Sequence, residues 1–197
     1  TIDGGSITIE DGGQLVANSD VTNVTDEKDI VGYTEPNYET NNGYYFIANP
    51  TTTSLYPSEV ENLINETVEH YDLYAWSTSY GQPWKNYKQN EFSTLEKVTL
   101  NTHDAYLYAN MDDVTLKFNG TVISSQNRKG YNVYVNNNEF GAWNLVGNPF
   151  VCNAYLVDND GHALPYYKMN ADGNGYEATF GEAIAPATGI FYEAPAS

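Results

Sequence analysis

One seven-residue phrase occurs twice in this chain, and that constrains the fold more than anything else in it. Tyr44-Tyr45-Phe46-Ile47-Ala48-Asn49-Pro50 and Trp143-Asn144-Leu145-Val146-Gly147-Asn148-Pro149 share one pattern, 99 residues apart (149 − 50). Each copy has an aromatic residue, a spacer, two large apolar residues, a small residue and then Asn-Pro. The small residue lets another backbone approach closely, and Asn-Pro turns the chain out of a sheet. Two further matches follow in the same order. Tyr71–Trp76 corresponds to Tyr166–Met169, and Ala105-Tyr106-Leu107-Tyr108-Ala109 corresponds to Gly189-Ile190-Phe191-Tyr192-Glu193-Ala194. The pattern predicts a duplicated strand unit with halves at about 43–110 and 141–194. Asn-Pro then reads as a structural corner and not as an active site.

The remaining runs are short and strand-like. They lie at Lys97–Leu100, Val114–Phe118, Thr121–Ser124, Tyr131–Val135, Ala154–Val157 and Tyr176–Phe180, with turn residues between them. Asn119-Gly120 reads as a hairpin turn. Many short strands with frequent turns predict an all-β, antiparallel β-sandwich, jelly-roll-like, over residues 33–197. Residues 1–32 form a separate opening. Ser6–Val16 alternates apolar and polar residues around Asp11-Gly12-Gly13, which fits either an edge hairpin or the last rung of a β-solenoid. Thr1 stands within this pattern, as in a processed product or a fragment. One short helix is expected from Pro57, because Ser58 and Glu61 have capping-box spacing and Val60, Leu63 and Ile64 share a face.

Charge excludes some functions. The chain has 26 acidic and 8 basic residues, a net charge of -18. It would repel a nucleic acid or an anionic membrane surface. No segment is apolar for long enough to suggest membrane insertion. Neutral partners such as glycans remain, as do another surface protein or plain solubility. Cys152, the single cysteine, sits in the apolar run Phe150-Val151-Cys152 and reads as a buried thiol.

The repeat and its surroundings resemble a known kind of region. Trp143–Phe150, Ala187–Ala194, Tyr71–Tyr74, Trp84–Tyr87, Tyr106–Asn110 and Ile7–Leu15 together are similar to the C-terminal region of large secreted or cell-surface proteins of gut and oral Bacteroidetes. The resemblance implies an extracellular or surface setting beside solenoid, adhesive or glycan-handling modules. It carries over no catalytic residue. Asp104-Ala105 departs from it, since a glycine is expected before Tyr106.

Three chemistries have candidate residues. The first is glycan binding. Trp76, Tyr80, Trp84 and Tyr87 lie among Gln82, Asn86 and Gln89 in one polar segment. Flat rings cover the apolar face of a sugar while amides bond its hydroxyls. Packing of Trp76, Trp84 and Tyr87 into the core explains the same residues without a ligand. The second is calcium, for which Asp158 and Asp160 offer alternating oxygens before Gly161. A hairpin tip accounts for that segment more simply, and no cofactor is expected. The third is glycoside hydrolysis by a carboxylate pair, which no sequence spacing can exclude. His70, His103 and His162 lack metal-ligand spacing, and no nucleophile elbow occurs. The leading expectation is a non-catalytic surface module that binds glycans. A structural or anchoring module is the alternative, and a polysaccharide hydrolase the second.

Overall fold

The computed structural model describes residues 4–33, 43–64, 70–78, 83–89, 99–126, 128–133, 135 and 139–195. Among the described residues, eleven strands form three sheets. They are β1 (Ile7–Ile9), β2 (Val21–Ile30), β3 (Tyr45–Ala48), β4 (Tyr71–Trp76), β5 (Trp84–Asn86), β6 (Ala105–Asn110), β7 (Val114–Val122), β8 (Trp143–Gly147), β9 (Pro165–Met169), β10 (Tyr176–Phe180) and β11 (Gly189–Glu193). The fold is an all-β sandwich.

The duplication is visible in the strand order. The second sheet runs β3-β6-β4-β5 and the third runs β8-β11-β9-β10, so both read first-fourth-second-third. A Greek key reads fourth-first-second-third. The jelly-roll likeness therefore extends to the packed sheets and not to the winding. Register agrees as well. Ala48 pairs Ala105 and Phe46 pairs Leu107 in one sheet, while Gly147 pairs Gly189 and Leu145 pairs Phe191 in the other.

The two Asn-Pro corners are built alike. Asn49 Nδ2 donates to the carbonyls of Thr53 (2.9 Å) and Leu100 (3.0 Å), and its Oδ1 accepts the Thr51 N–H (3.0 Å). Asn148 Nδ2 donates to those of Cys152 (2.9 Å) and Ile184 (2.9 Å), and its Oδ1 accepts the Phe150 N–H (3.0 Å). Both side chains are buried. A buried amide is tolerated only when its donors and acceptors are paired, and here they are met by backbone groups outside the named strands. Downstream, Leu55 bridges Leu100 as Ala154 bridges Ile184.

A pseudo-twofold axis relates the halves. Ile47 bridges Thr188, and its counterpart Val146 bridges Asp104, the counterpart of Thr188. The Ala48 N–H donates to the Ala187 carbonyl (2.9 Å), and the Gly147 N–H donates to that of His103 (3.0 Å). Such reciprocity marks an isologous contact. Near the axis, equivalent residues meet one another. A Cβ on Gly147 would stand 2.6 Å from Ala48 Cβ, and one on Gly189 would stand 2.2 Å from Ala105 Cβ. Each axial pair therefore has room for one methyl group only. Ala105, the departure noted in the sequence, fits because Gly189 faces it.

The sheets stack in three layers with the second in the middle. Leu73, Tyr106 and Tyr108 pack one of its faces against Ile30, Leu116 and Phe118 of the first sheet. Phe46, Ala48 and Ala105 pack the other face against Leu145 and Phe191 of the third. The first sheet runs β1-β2-β7.

Several local expectations need correction. No α-helix forms over the described residues 57–64. A single 3-10 turn spans Pro57–Glu59, and Glu59, not Glu61, reaches back to the Tyr56 N–H (2.6 Å). Glu61 instead bridges Lys117, and Asn62 takes a left-handed φ of 65°. Asn119-Gly120 is no turn either. It lies inside β7, where Asn119 pairs Thr25 and Gly120 pairs Val24. Gly120 is small because Thr51 crosses above it, with side-chain carbons 3.1 Å from where a Cβ would stand. β2, whose polar sequence gives no alternation, was not expected. Finally, β1 pairs β2 in parallel, Ile7 beside Val24, and Leu15-Val16 is not a strand, so the opening is not a hairpin.

Asp26 on β2 is buried, and its Oδ2 has no hydrogen-bond partner among the described residues. Burial, with Asp11 and Glu27 adding repulsion against the pull of Lys28, raises its pKa to about 7.

Two stability predictions follow from this geometry. Gly189→Ala should cost about 1–3 kcal/mol by overpacking, and adding Ala105→Gly should recover most of it in chemical denaturation. Additive losses would contradict the axial contact. For Asp26, the folded pKa exceeds the unfolded one, so ionisation opposes folding. The penalty is absent below about pH 4 and grows to about pH 7, reaching at most ~4 kcal/mol. Asp26→Asn should therefore stabilise the protein at pH 8 and change little at pH 4.

Candidate functional site

The space between the second and third sheets is lined with aromatic rings. β strands place alternate side chains on one face, so Tyr74 and Trp76 of β4 and Trp84 of β5 all point toward the third sheet. Tyr167, Phe191 and Trp143 point back. At one end the rings close on each other. Trp76 stands 4.8 Å from Phe191 and 5.9 Å from Phe140, and Trp143 stands 5.0 Å from Tyr167. The Trp76 indole N–H donates to the Trp143 carbonyl (2.8 Å).

The other end is open. Register makes Met169 the counterpart of Trp76 and Leu107 the counterpart of Phe191. These smaller residues leave unfilled the space that the two rings occupy at the closed end. The result is a cleft of about 310 Å³, walled by Tyr44, Tyr74, Trp84 and Tyr176, with Leu107 and Met169 also lining it. Asn174 stands at the same wall. Tyr176 is half exposed and its ring stacks 5.6 Å from Phe46.

The Tyr44 wall is fixed by a short polar chain. Its hydroxyl donates to Asp72 Oδ2 (3.0 Å), and Lys88 Nζ pairs Asp72 Oδ1 (2.7 Å) and donates to the Tyr71 carbonyl (2.7 Å). Burial, then the Asp72 charge, pushes the Tyr44 hydroxyl far above its ordinary pKa, so it stays a neutral donor.

The expected platform residues separate in part, since Trp84 also packs on Trp76 (4.8 Å) and on Phe191 (5.8 Å). Trp84 lines the cleft. Trp76 packs at the closed end. Asn86 sits opposite Tyr74, and its Oδ1 accepts the Lys88 N–H (2.9 Å). Tyr87 packs against the core between the first and second sheets. Gln89 ends the adjoining 3-10 turn. Tyr80 and Gln82 lie outside the described residues. Sequence reasoning missed Tyr44, Tyr74 and Tyr176 as walls of the cleft. The repeat alignment could have found them, since it sets Leu107 beside Phe191 and exposes the change in size.

Asp158 and Asp160 do come together, and His162 joins them, the three ligand atoms lying within 4.8 Å of one another. Asp158 is already occupied. Its Oδ1 accepts the N–H groups of Asp160 (2.9 Å) and His162 (2.8 Å), and its Oδ2 faces His162 Nδ1 (3.1 Å). Led by the His162 N–H, these bonds hold its pKa below the usual carboxylate range. That is a self-capped turn. Cys152 is buried, and burial pushes its thiol pKa up. Among the described residues no helix is long and apolar enough to cross a membrane.

Comparison of the chain with family models, with curated proteins and with solved structures finds no match.

The two ends should respond differently to truncation. Trp76→Ala should cost about 3 kcal/mol, because it empties a packed cluster and leaves the Trp143 carbonyl without its donor. Tyr176→Ala, on a half-exposed ring, should cost under about 1 kcal/mol. Thermal or urea denaturation of the two variants checks this, and equal losses would contradict it.

Proposed function

We propose that this protein is a non-catalytic binding module, working outside the cell or at its surface, that holds a glycan in the cleft between its two repeated sheets. The observation that carries this reading is the cleft itself. Four aromatic rings wall it where the duplicated positions hold Leu107 and Met169 instead of Phe191 and Trp76. Sugar rings present apolar C–H faces, which such walls cover, and the Asn174 amide is of the kind that bonds hydroxyls. A volume of about 310 Å³ lies at the small end of ligand sites. No carboxylate lines the cleft among the described residues, which supports binding over glycoside hydrolysis. The acidic, cysteine-poor composition and the resemblance to bacterial surface proteins support the setting.

A structural or anchoring module is the second reading. It is favoured by Trp76, which serves the packing of the two sheets, and by the parallel pairing of β1 with β2, which resembles a solenoid rung.

A glycan array probed with the full chain separates them. Binding is expected, and Trp84→Ala and Tyr74→Ala should each weaken it by at least about tenfold. Leu107→Phe should abolish it by filling the cleft, with the fold intact by circular dichroism. Absence of binding to every glycan, or binding untouched by Leu107→Phe, would reject the cleft as the site.

A further inference from the structure

Beside the aromatic cleft lies a second cavity of about 320 Å³, and the two share Tyr44, Met169 and Gly173 as a common wall. Its lining is unusual for this chain. Acidic residues outnumber basic ones 26 to 8, yet the wall includes Lys28 and Lys168 and no acidic residue among the described residues. Phe46, Ile184 and Ile190 supply apolar surface. An apolar wall with two cations suits a ring that bears a negative charge.

Each lysine has acidic neighbours outside the lining: Lys28 attracts Asp26 as well as Asp11, and Lys168 attracts Glu177 as well as Glu182. Lys28 Nζ stands 3.0 Å from Asp11, and Lys168 Nζ stands 2.9 Å from Glu182. The Lys168–Glu182 pair is exposed, at 41% and 55%, whereas the Lys28–Asp11 pair is half-buried, at 16% and 29%. Exposed ion pairs contribute little, and an ammonium group has three donors. Each lysine can therefore keep its neighbour and still donate to a ligand oxygen, and Lys168 can exchange one carboxylate for another at small cost.

We infer that this cavity is the subsite for a carboxylate-bearing pyranose, so that the glycan taken by the module is acidic. The inference rests on the cleft reading, which supplies the adjoining ring site. An acidic chain thus concentrates two of its few cations where a negatively charged sugar must be told from a neutral one. Discrimination comes from charge-assisted hydrogen bonds at Lys28 and Lys168, while the aromatic walls hold whichever ring adjoins.

The test is titration calorimetry on the full chain. The probes are hexamers of galacturonate, glucuronate and mannuronate, a sialylated hexasaccharide, the methyl ester of each, and a neutral hexaglucan. Esterification removes the charge and keeps the ring. At least one acidic oligomer is expected to bind about tenfold or more tightly than its ester. Lys28→Met with Lys168→Met should erase that difference while the ester still binds, and Lys168→Arg should preserve it. Equal affinity for acids and esters, or a preference unmoved by the lysine changes, overturns the acidic subsite and leaves the cleft reading standing if neutral sugars bind. Absence of binding to all probes overturns both.

Discussion

The fold depends on how closely two backbones approach at the pseudo-twofold axis. Ala48 faces Gly147 and Ala105 faces Gly189, and in each pair the space holds one methyl group. With the backbones this close, the halves exchange reciprocal hydrogen bonds, Ala48 to Ala187 and Gly147 to His103. The sheets are thereby set face to face with their aromatic sides together. Buried asparagines complete the arrangement. Asn49 and Asn148 tie each corner to the strand that returns toward the axis, so the repeat preserves a hydrogen-bond scheme along with a hydrophobic pattern.

Symmetry at the axis coexists with asymmetry away from it. Phe46 and Leu107 pair in one half, Leu145 and Phe191 in the other, so the large and small partners trade places. Phe46 meets Phe191 edge-on at 5.2 Å. Trp76 adds to the aromatic side, and its counterpart Met169 leaves the opposite side open. A duplicated unit can create a binding cleft in this way without altering its backbone. Shrinking two side chains at one of two equivalent ends is enough, because the other end still holds the sheets together. The first sheet buries the remaining face of the middle layer and leaves the cleft untouched.

Much of the architecture was legible in the sequence. The Asn-Pro phrases, the matched strands at 71–76 and 166–169, and the closing strands at 105–110 and 189–193 all take equivalent places. They were legible because each half repeats its apolar positions at fixed intervals. β2 was not legible, because its buried face includes Asp26 and its pattern is mostly polar. Asn119-Gly120 misled for a physical reason: a ten-residue partner strand pairs with both residues before its register shifts between Val24 and Val21, and Thr51 needs the missing side chain. The helix after Pro57 lost to a bridge between Glu61 and Lys117. For the site, the segment from Trp76 to Tyr87 looked like one platform. Strand alternation sends Trp84 toward the third sheet, while Tyr87, beyond the strand, packs against the core on the other face of the second. Three cleft walls came from Tyr44, Tyr74 and Tyr176, which are far apart in the chain and meet only through sheet packing.

The central claim is that the two repeats clasp each other through equivalent small residues on an axis. Nuclear Overhauser spectroscopy of the folded protein in solution tests it directly. Strong cross-peaks are predicted between the Ala105 methyl protons and the Gly189 Hα protons, and between the Ala48 methyl protons and those of Gly147. Cross-peaks that join these residues only to neighbours within their own half would contradict it.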